Sequence, residues 1–192
     1  MTRLRNALLL VVLSIVAVGE RVAAQQSGAS ASLAQTRTAA IVASFNKSKH
    51  VVKQKHGIRV AKYKEIQSEP AAPSDPRTYS GTYEVPDLQL TLNLQFDQNG
   101  RGEGTGDDLV GTDAAVKRRF RLVGAKMEGA LLTGTKVYAD GSSDRFEGVF
   151  LNRTSFDDPA DKGVTRFGLG VIGKAMSIHG NTVDKLFYEL RR

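Results

Sequence analysis

The chain has 192 residues, no cysteine and a formal net charge of +7 at pH 7. Without cysteine, disulfide scaffolds, thiolate nucleophiles and cysteine-ligated metal sites are excluded. A chain of this length can build one domain with its own core, so its stability has to come from packing.

The N-terminus has the pattern of an export signal. The basic start "MTRLR" precedes the apolar run "ALLLVVLSIVAVG", which is too short to span a bilayer as a helix. Small residues at Val22 and Ala24 predict cleavage after Ala24, so residues 1–24 are interpreted as a signal peptide. We expect a periplasmic or extracellular protein without a membrane span after processing. The alternative is an uncleaved N-terminal anchor.

Charge divides the rest of the chain. Residues 25–77 contain nine Lys/Arg and three Asp/Glu, whereas residues 78–192 contain 15 basic and 16 acidic residues. This asymmetry predicts a basic, partly helical stem (25–67), a Pro-rich linker (68–77) and an antiparallel β domain (78–192). In the stem, Ser32 is a candidate helix cap and Gly57 a candidate stop. The apolar stripe between them comprises Leu33, Ala40, Ile41, Phe45 and Val52.

The β domain is predicted from alternation. "LQLTLNLQFD" (88–97) places apolar residues at every second position, which is typical of a half-buried strand. Asn99-Gly100 predicts a tight hairpin, and further short β segments separated by Gly- or Asp-rich turns follow. The predicted fold class is mainly β, an antiparallel meander forming a small barrel or sandwich. The architecture resembles small secreted barrels such as lipocalins and avidins, although no motif of either family is present.

A basic stretch is the first candidate site. Seven Lys/Arg and no acidic residue lie between Lys47 and Lys64. Such a run favours an anionic surface, either lipid headgroups or an acidic polysaccharide, and the alternative is a solvated face. Only Tyr63 is aromatic there, which argues against sequence-specific nucleic-acid recognition. The predicted contact residues are Lys47, Lys49, Lys53, Lys55, Arg59, Lys62 and Lys64.

The alternating strand is the second candidate site. In a lipocalin-like carrier its apolar face lines a cavity for a small apolar ligand, and in a filled barrel the same face packs the core. The residues concerned are Leu88, Leu90, Leu92, Leu94 and Phe96.

The stretch "RFGLGVIGKAM" contains Gly168, Gly170 and Gly173 in the spacing of a dinucleotide fingerprint. The chain after Ala175 is too short for the helix and returning strand that a nucleotide site requires. The glycines are therefore interpreted as thinning a strand for a bend or a bulky neighbour.

The remaining motifs are weak. His50, His56 and His179 lack metal-ligand spacing, and Arg101 occupies a ligand position of the calcium-like loop 97–108. Ser44 and Lys47 have a Ser-x-x-Lys spacing without its partner motifs. We therefore predict no catalytic residue, cofactor or metal.

The leading hypothesis is an exported, non-catalytic binding or envelope-associated protein with a basic tether. The alternatives are an apolar-ligand carrier and a secreted hydrolase that uses paired carboxylates such as Glu103, Glu128 and Glu147.

Overall fold

The computed structural model describes residues 31–46, 49–55, 58–71, 73–110, 113–156, 163–178 and 181–191. The chain forms two compact units, Met1–Thr36 and Arg37–Arg192. In the first unit the described residues are 31–36, which are helical, and the predicted signal peptide lies outside the described residues. All the strands belong to the second unit.

The described chain contains a single helix, α1 (residues 31–45), and is mainly β, as predicted. Two short 3-10 turns, Pro76–Tyr79 and Pro86–Leu88, stand on either side of β3. The strands are β1 (Lys49–Lys55), β2 (Ile58–Pro70), β3 (Gly81–Val85), β4 (Leu90–Phe96), β5 (Arg101–Val110), β6 (Asp113–Glu128), β7 (Leu131–Tyr138), β8 (Ser143–Phe156), β9 (Val164–Ile178) and β10 (Asn181–Leu190).

Strands β3 to β10 form a closed antiparallel barrel of eight strands. Each strand pairs with the next along the chain, and β10 closes the ring by pairing with β3. The closure is short: Glu189 pairs with Glu84 and Leu190 with Tyr83, and the Arg191 amide donates to the Thr82 carbonyl at 2.8 Å. Of the predicted barrel and sandwich, the barrel is confirmed.

Strand β8 also pairs with β2, which precedes the barrel strands in the sequence. Its residues 143–149 pair with β7, while residues 151–156 pair with residues 65–70 of β2 on the same edge. The opposite edge pairs with β9. The sheet therefore continues through the boundary that was predicted between stem and linker.

The helix ends earlier than its apolar stripe predicted. We expected it to stop near Gly57, but it ends at residue 45, and Val52 lies in β1. The segment 49–64 is instead a β-hairpin, in which the β-branched residues of "KHVVKQK" and "IRV" are favoured.

The alternating strand was predicted correctly from Leu90 onward. Leu90, Leu92 and Leu94 are each 1% exposed, and Phe96 is also buried. Leu88 differs because it belongs to a 3-10 turn, and Gln89 after it has a φ of 51°, which interrupts the extended backbone.

The Asn99-Gly100 turn is tight, as predicted, but its geometry is set by Asp97. The Asp97 carboxylate accepts from the amides of Asn99 (2.8 Å) and Arg101 (2.9 Å). Gly100 alone in this turn has positive φ, at 71°. A carboxylate used in this way stabilises the hairpin turn.

Glycines on β5 make room for the core. A Cβ added at Gly102 meets the Phe96 ring, and one added at Gly104 lies 2.9 Å from Leu94. At Gly106 an added Cβ lies 2.6 Å from the Phe120 ring. Neighbouring side chains thus occupy the space that these glycines leave, and this part of the interior is filled.

Four aromatic rings fill another part of the interior. Phe150 and Phe167 stack with ring centroids 6.1 Å apart, and Tyr79 lies 4.2 Å from Phe150. The Tyr79 hydroxyl donates to the Ala71 carbonyl (2.7 Å), and the Tyr83 hydroxyl donates to the Tyr79 carbonyl (2.6 Å). Burial raises the pKa of Tyr79 to about 12.

The glycines of "RFGLGVIGKAM" are explained by packing on the outer face of β9. An added Cβ at Gly168 meets the Phe187 ring and the Tyr188 backbone, and one at Gly170 lies 3.0 Å from the Phe45 ring of α1. The prediction of a bulky neighbour is confirmed for these two glycines. Gly173 differs, because an added Cβ there has no atom within 4 Å.

Candidate functional site

The hairpin formed by β1 and the first half of β2 carries the predicted basic residues. Residues 58–64 pair with β1 alone, and residues 65–70 pair with β8. The hairpin is therefore continuous along β2 with the segment that pairs with β8, and neither pairing contains a register shift. Seven residues of strand extend about 20 Å.

The register places most of these lysines on one face of the hairpin. In an antiparallel ladder, directly paired residues and their neighbours two positions along share a face. Lys49 pairs with Lys64, and Val51 pairs with Lys62. The resulting basic face comprises Lys49, Val51, Lys53, Lys55, Ile58, Val60, Lys62 and Lys64.

The other predicted contact residues do not join the basic face. Arg59 pairs with Gln54 and lies on the opposite face, with His50 and Tyr63. Lys47 lies outside the described residues. Five of the seven predicted residues are thus brought together by the fold, which sequence spacing alone did not reveal.

The basic face has no acidic residue of its own. The segment 47–64 lacks Asp and Glu, and Lys49 stands directly opposite Lys64. Like charges placed opposite each other destabilise a strand pair, so an anionic partner that neutralises them stabilises the hairpin.

The base of the hairpin is held by the end of α1. Asn46 binds Ser68 of β2 through both polar atoms of its amide: Oδ1 accepts from the Ser68 amide, and Nδ2 donates to its carbonyl at 3.0 Å. Phe45, 4% exposed, lies beneath Arg153 and Lys185, whose charged groups are each 5.7 Å from its ring centre. Burial lowers the pKa of Arg153.

The residues predicted to line a ligand cavity lie in the interior. Leu90, Leu92, Leu94 and Phe96 belong to one buried cluster, and Leu88 packs against it from its turn. A groove of about 580 Å³ is formed elsewhere, by residues 164–167 and 189–191 with Glu84 and Pro86. None of the five predicted residues lines this groove.

The groove is lined by charged groups that pair with one another. Arg166 binds Glu189 at 3.0 Å, and Arg191 binds Glu84 at 3.1 Å. These charges balance within the groove, so it lacks the excess of one sign that distinguishes the hairpin.

A buried polar cluster was missed by sequence analysis. Lys136 Nζ lies 2.6 and 2.8 Å from the two carboxylate oxygens of Asp108, and the Tyr138 hydroxyl donates to the same carboxylate at 2.6 Å. The Asp108 and Lys136 side chains are 12% and 13% exposed. Burial, and then the bond to Asp108, raise the pKa of Tyr138. Asp108 lies on the same inward-facing side of β5 as Gly102, Gly104 and Gly106. This alternation at every second residue was visible in the sequence and could have predicted that Asp108 points inward.

The cluster continues towards the turn between β7 and β8. Arg118 stacks over the Tyr138 ring at 3.7 Å and binds both Asp140 and Ser142. Ser142, through its backbone amide and side chain, and then Arg118 lower the pKa of Asp140 to about 2. Since these polar groups bind one another, the arrangement is typical of a structural network.

The side chains of the weaker sequence motifs make local hydrogen bonds or ion pairs. The Ser44 hydroxyl donates to the Ile41 carbonyl at 2.7 Å. Glu128 lies 2.6 Å from Lys126, and Glu147 lies 3.2 Å from Arg37. Among the residues that the structure describes, no group of three or more His, Cys, Asp or Glu is placed to hold a metal ion.

Comparisons with protein-family models, with curated proteins and with solved structures give no match for this chain. In the described part of the chain, no helix combines the length and apolar character needed to cross a bilayer.

Proposed function

We propose that this chain is an exported, non-catalytic binding protein whose β1–β2 hairpin attaches it to an anionic lipid surface. The observation that carries the proposal is the register, which gathers five lysines on one face of the hairpin. Each basic residue close to an anionic membrane contributes about 1 kcal/mol, so five together support stable but salt-sensitive attachment.

The apolar residues of the same face favour lipid over polysaccharide. Val51, Ile58 and Val60 share the face with the lysines. A surface that mixes basic and apolar residues suits the boundary between headgroups and acyl chains, whereas an acidic polysaccharide offers no apolar phase. The packed interior around Leu92, Leu94 and Phe96 supports recognition on the outside of the barrel.

Vesicle co-sedimentation tests the proposal with point variants. Deleting the stem is a poor test because α1 packs on β9 through Phe45 and β2 pairs with β8, so the deletion would also disturb the barrel. Replacing Lys49, Lys53, Lys55, Lys62 and Lys64 by Gln should weaken binding to phosphatidylglycerol vesicles at least about a hundredfold. Binding to phosphatidylcholine vesicles should be weak for every variant.

A control variant with the same change in net charge replaces exposed basic residues of the barrel wall. It should bind phosphatidylglycerol vesicles within about threefold of the parent chain, because charge outside the contact acts only through screened, long-range attraction. Equal losses in the two variants would contradict a localised site, and binding to an acidic polysaccharide without binding to vesicles would move the function there. The control residues are Arg101, Arg119, Arg121, Lys126 and Arg145.

A further inference from the structure

In the described chain, strand β1 is paired on one edge only. Its neighbour is β2, and the sheet order ends at β1. Each barrel strand has a neighbour on both sides over at least part of its length, whereas the outer edge of β1 is unpaired over all of its described residues. An open strand edge is a template on which another strand can pair.

The backbone groups on that edge follow from the hairpin register. Two residues separate Lys55 from Ile58, so this pair closes the hairpin as a hydrogen-bonded pair. Hydrogen-bonded pairs then alternate with non-bonded pairs along the ladder. His50, Val52 and Gln54 fall on the non-bonded positions, and their amides and carbonyls face the open edge.

We propose that the β1 edge pairs with the β1 edge of a second copy once an anionic surface neutralises its lysines. This rests on the proposed function. The edge is self-complementary about a two-fold axis at Val52. Antiparallel pairing places Val52 opposite the partner's Val52 and His50 opposite the partner's Gln54, which forms six backbone hydrogen bonds.

The lysines explain why pairing depends on the surface. The same register sets Lys49 opposite the partner's Lys55 and joins the two basic faces into one face with ten lysines. Like charges in direct opposition destabilise strand pairing, and lysines are a common device against edge-to-edge association. When an anionic surface neutralises the lysines, the repulsion between the two copies is removed. Because the two equilibria are coupled, pairing of the copies in turn strengthens binding to the surface.

A cross-linking experiment tests the contact directly, because the chain has no cysteine. In the paired form, Val52→Cys places two thiols opposite each other at the two-fold axis, within the reach of a disulfide. On phosphatidylglycerol vesicles, mild oxidation should link Val52→Cys at least about tenfold more than Ala61→Cys. Ala61 is the matched control, because it pairs with Val52 on the other strand of the hairpin, and pairing through the free edge of that strand would link Ala61→Cys instead. Equal linking at the two positions would overturn the pairing.

Two variants separate this inference from the proposed function. The variant with five lysines replaced by Gln should sediment as a dimer in vesicle-free buffer, and adding Val52→Pro should return it to a monomer. Proline is tolerated there because it removes an amide of the open edge and none of the ladder. Val52→Pro alone should bind vesicles about tenfold more weakly. A five-Gln variant that stays monomeric overturns the pairing even if vesicle binding stands. A five-Gln dimer supports the pairing even if the parent chain fails to bind vesicles.

Discussion

At the scale of single residues, Asp108 and Lys136 form a largely buried ion pair inside the described part of the barrel. Both side chains are nearly nine-tenths buried, and Lys136 also lies 4.6 Å from the Phe120 ring centre. Removing one member of a buried ion pair leaves an uncompensated charge, which is costlier than removing both.

Asp108→Asn should therefore lower the free energy of unfolding by about 3 kcal/mol, because the Lys136 ammonium loses its counter-charge. Lys136→Met should also destabilise, and the double variant should be more stable than Asp108→Asn alone. Urea unfolding followed by circular dichroism measures all four chains. A loss below about 1 kcal/mol in Asp108→Asn would contradict the assigned role of the pair.

This pair illustrates what sequence reasoning missed at the residue scale. The glycine run "RGEGTGDD" fixes an alternation that places Asp108 inside, but a buried carboxylate is expected only when a partner is known. Lys136 comes 28 residues later, on a strand two places along the sheet. Sequence reasoning did not join the two, because their pairing depends on the register of β5 with β6 and of β6 with β7.

At the scale of elements, α1 and β9 are matched in shape. Phe45 of α1 lies over Gly170 of β9, where the missing side chain admits the ring. Ile41, one turn earlier, is 4% exposed, and Arg37 binds Glu147 at 3.2 Å. The C-terminal half of α1 is thus packed on the wall of the barrel.

Gly170→Ala should destabilise the protein by about 1–3 kcal/mol, because the added methyl lies within 3.0–3.1 Å of the Phe45 ring and 2.7 Å of Leu151 Cδ1. Gly173→Ala on the same strand is the matched control and should stay within about 0.5 kcal/mol of the parent chain, because its added methyl meets no atom within 4 Å. Thermal unfolding compares the two. If Gly170→Ala is as stable as Gly173→Ala, the helix does not pack tightly at this position.

Strand alternation was the most reliable element-scale signal, and the helix stop was the least. Leu90 to Phe96 alternate because one face is buried, and that cause is local. The stripe from Leu33 to Val52 crosses from helix into strand, because α1 ends at residue 45 and Val52 lies in β1. Of its helical members, Ile41 and Phe45 are buried, whereas Leu33 is 59% exposed. Gly57, the predicted helix stop, lies outside the described residues, and α1 has already ended at residue 45.

At the scale of the whole molecule, buried tyrosines make the stability of the barrel decrease at alkaline pH. Tyr79, Tyr83, Tyr138 and Tyr188 are buried, and burial is the main cause that raises the pKa of each. A phenol whose pKa is raised in the folded state stays protonated there after the unfolded chain has ionised. Its contribution is complete below pH 10 and is lost as pH rises towards its folded-state pKa, which is about 12 for Tyr79.

We therefore expect the free energy of unfolding to fall between pH 10 and pH 12, by about 1.4 kcal/mol per pH unit for each tyrosine that ionises only on unfolding. Phenolate absorbance near 295 nm should rise together with the loss of near-ultraviolet circular dichroism. Tyr188→Phe should make the decline shallower. Four tyrosines that titrate near pH 10 in an intact fold would contradict this expectation.

The barrel itself was predictable as a class, but its closure was not. Composition and turn spacing predicted an antiparallel meander, and they left barrel and sandwich open. Pairing of β10 with β3 makes the fold a barrel and not a sandwich. The paired residues, such as Leu190 and Tyr83, are more than 100 residues apart in the sequence. A contact this distant carries no local pattern.

The pairing of β10 with β3 also limits the order in which parts of the chain can fold during synthesis. The barrel cannot close before β10 has been synthesised, and the N-terminal α1 and β2 must wait for β8 and β9 before they have a wall to pack on. Pairings between distant segments form slowly, because a long loop has to close first. The growing chain therefore cannot close the barrel until β10 has left the ribosome. For a protein that we propose is exported, this delay is useful, since a chain still unfolded can be threaded through a narrow pore.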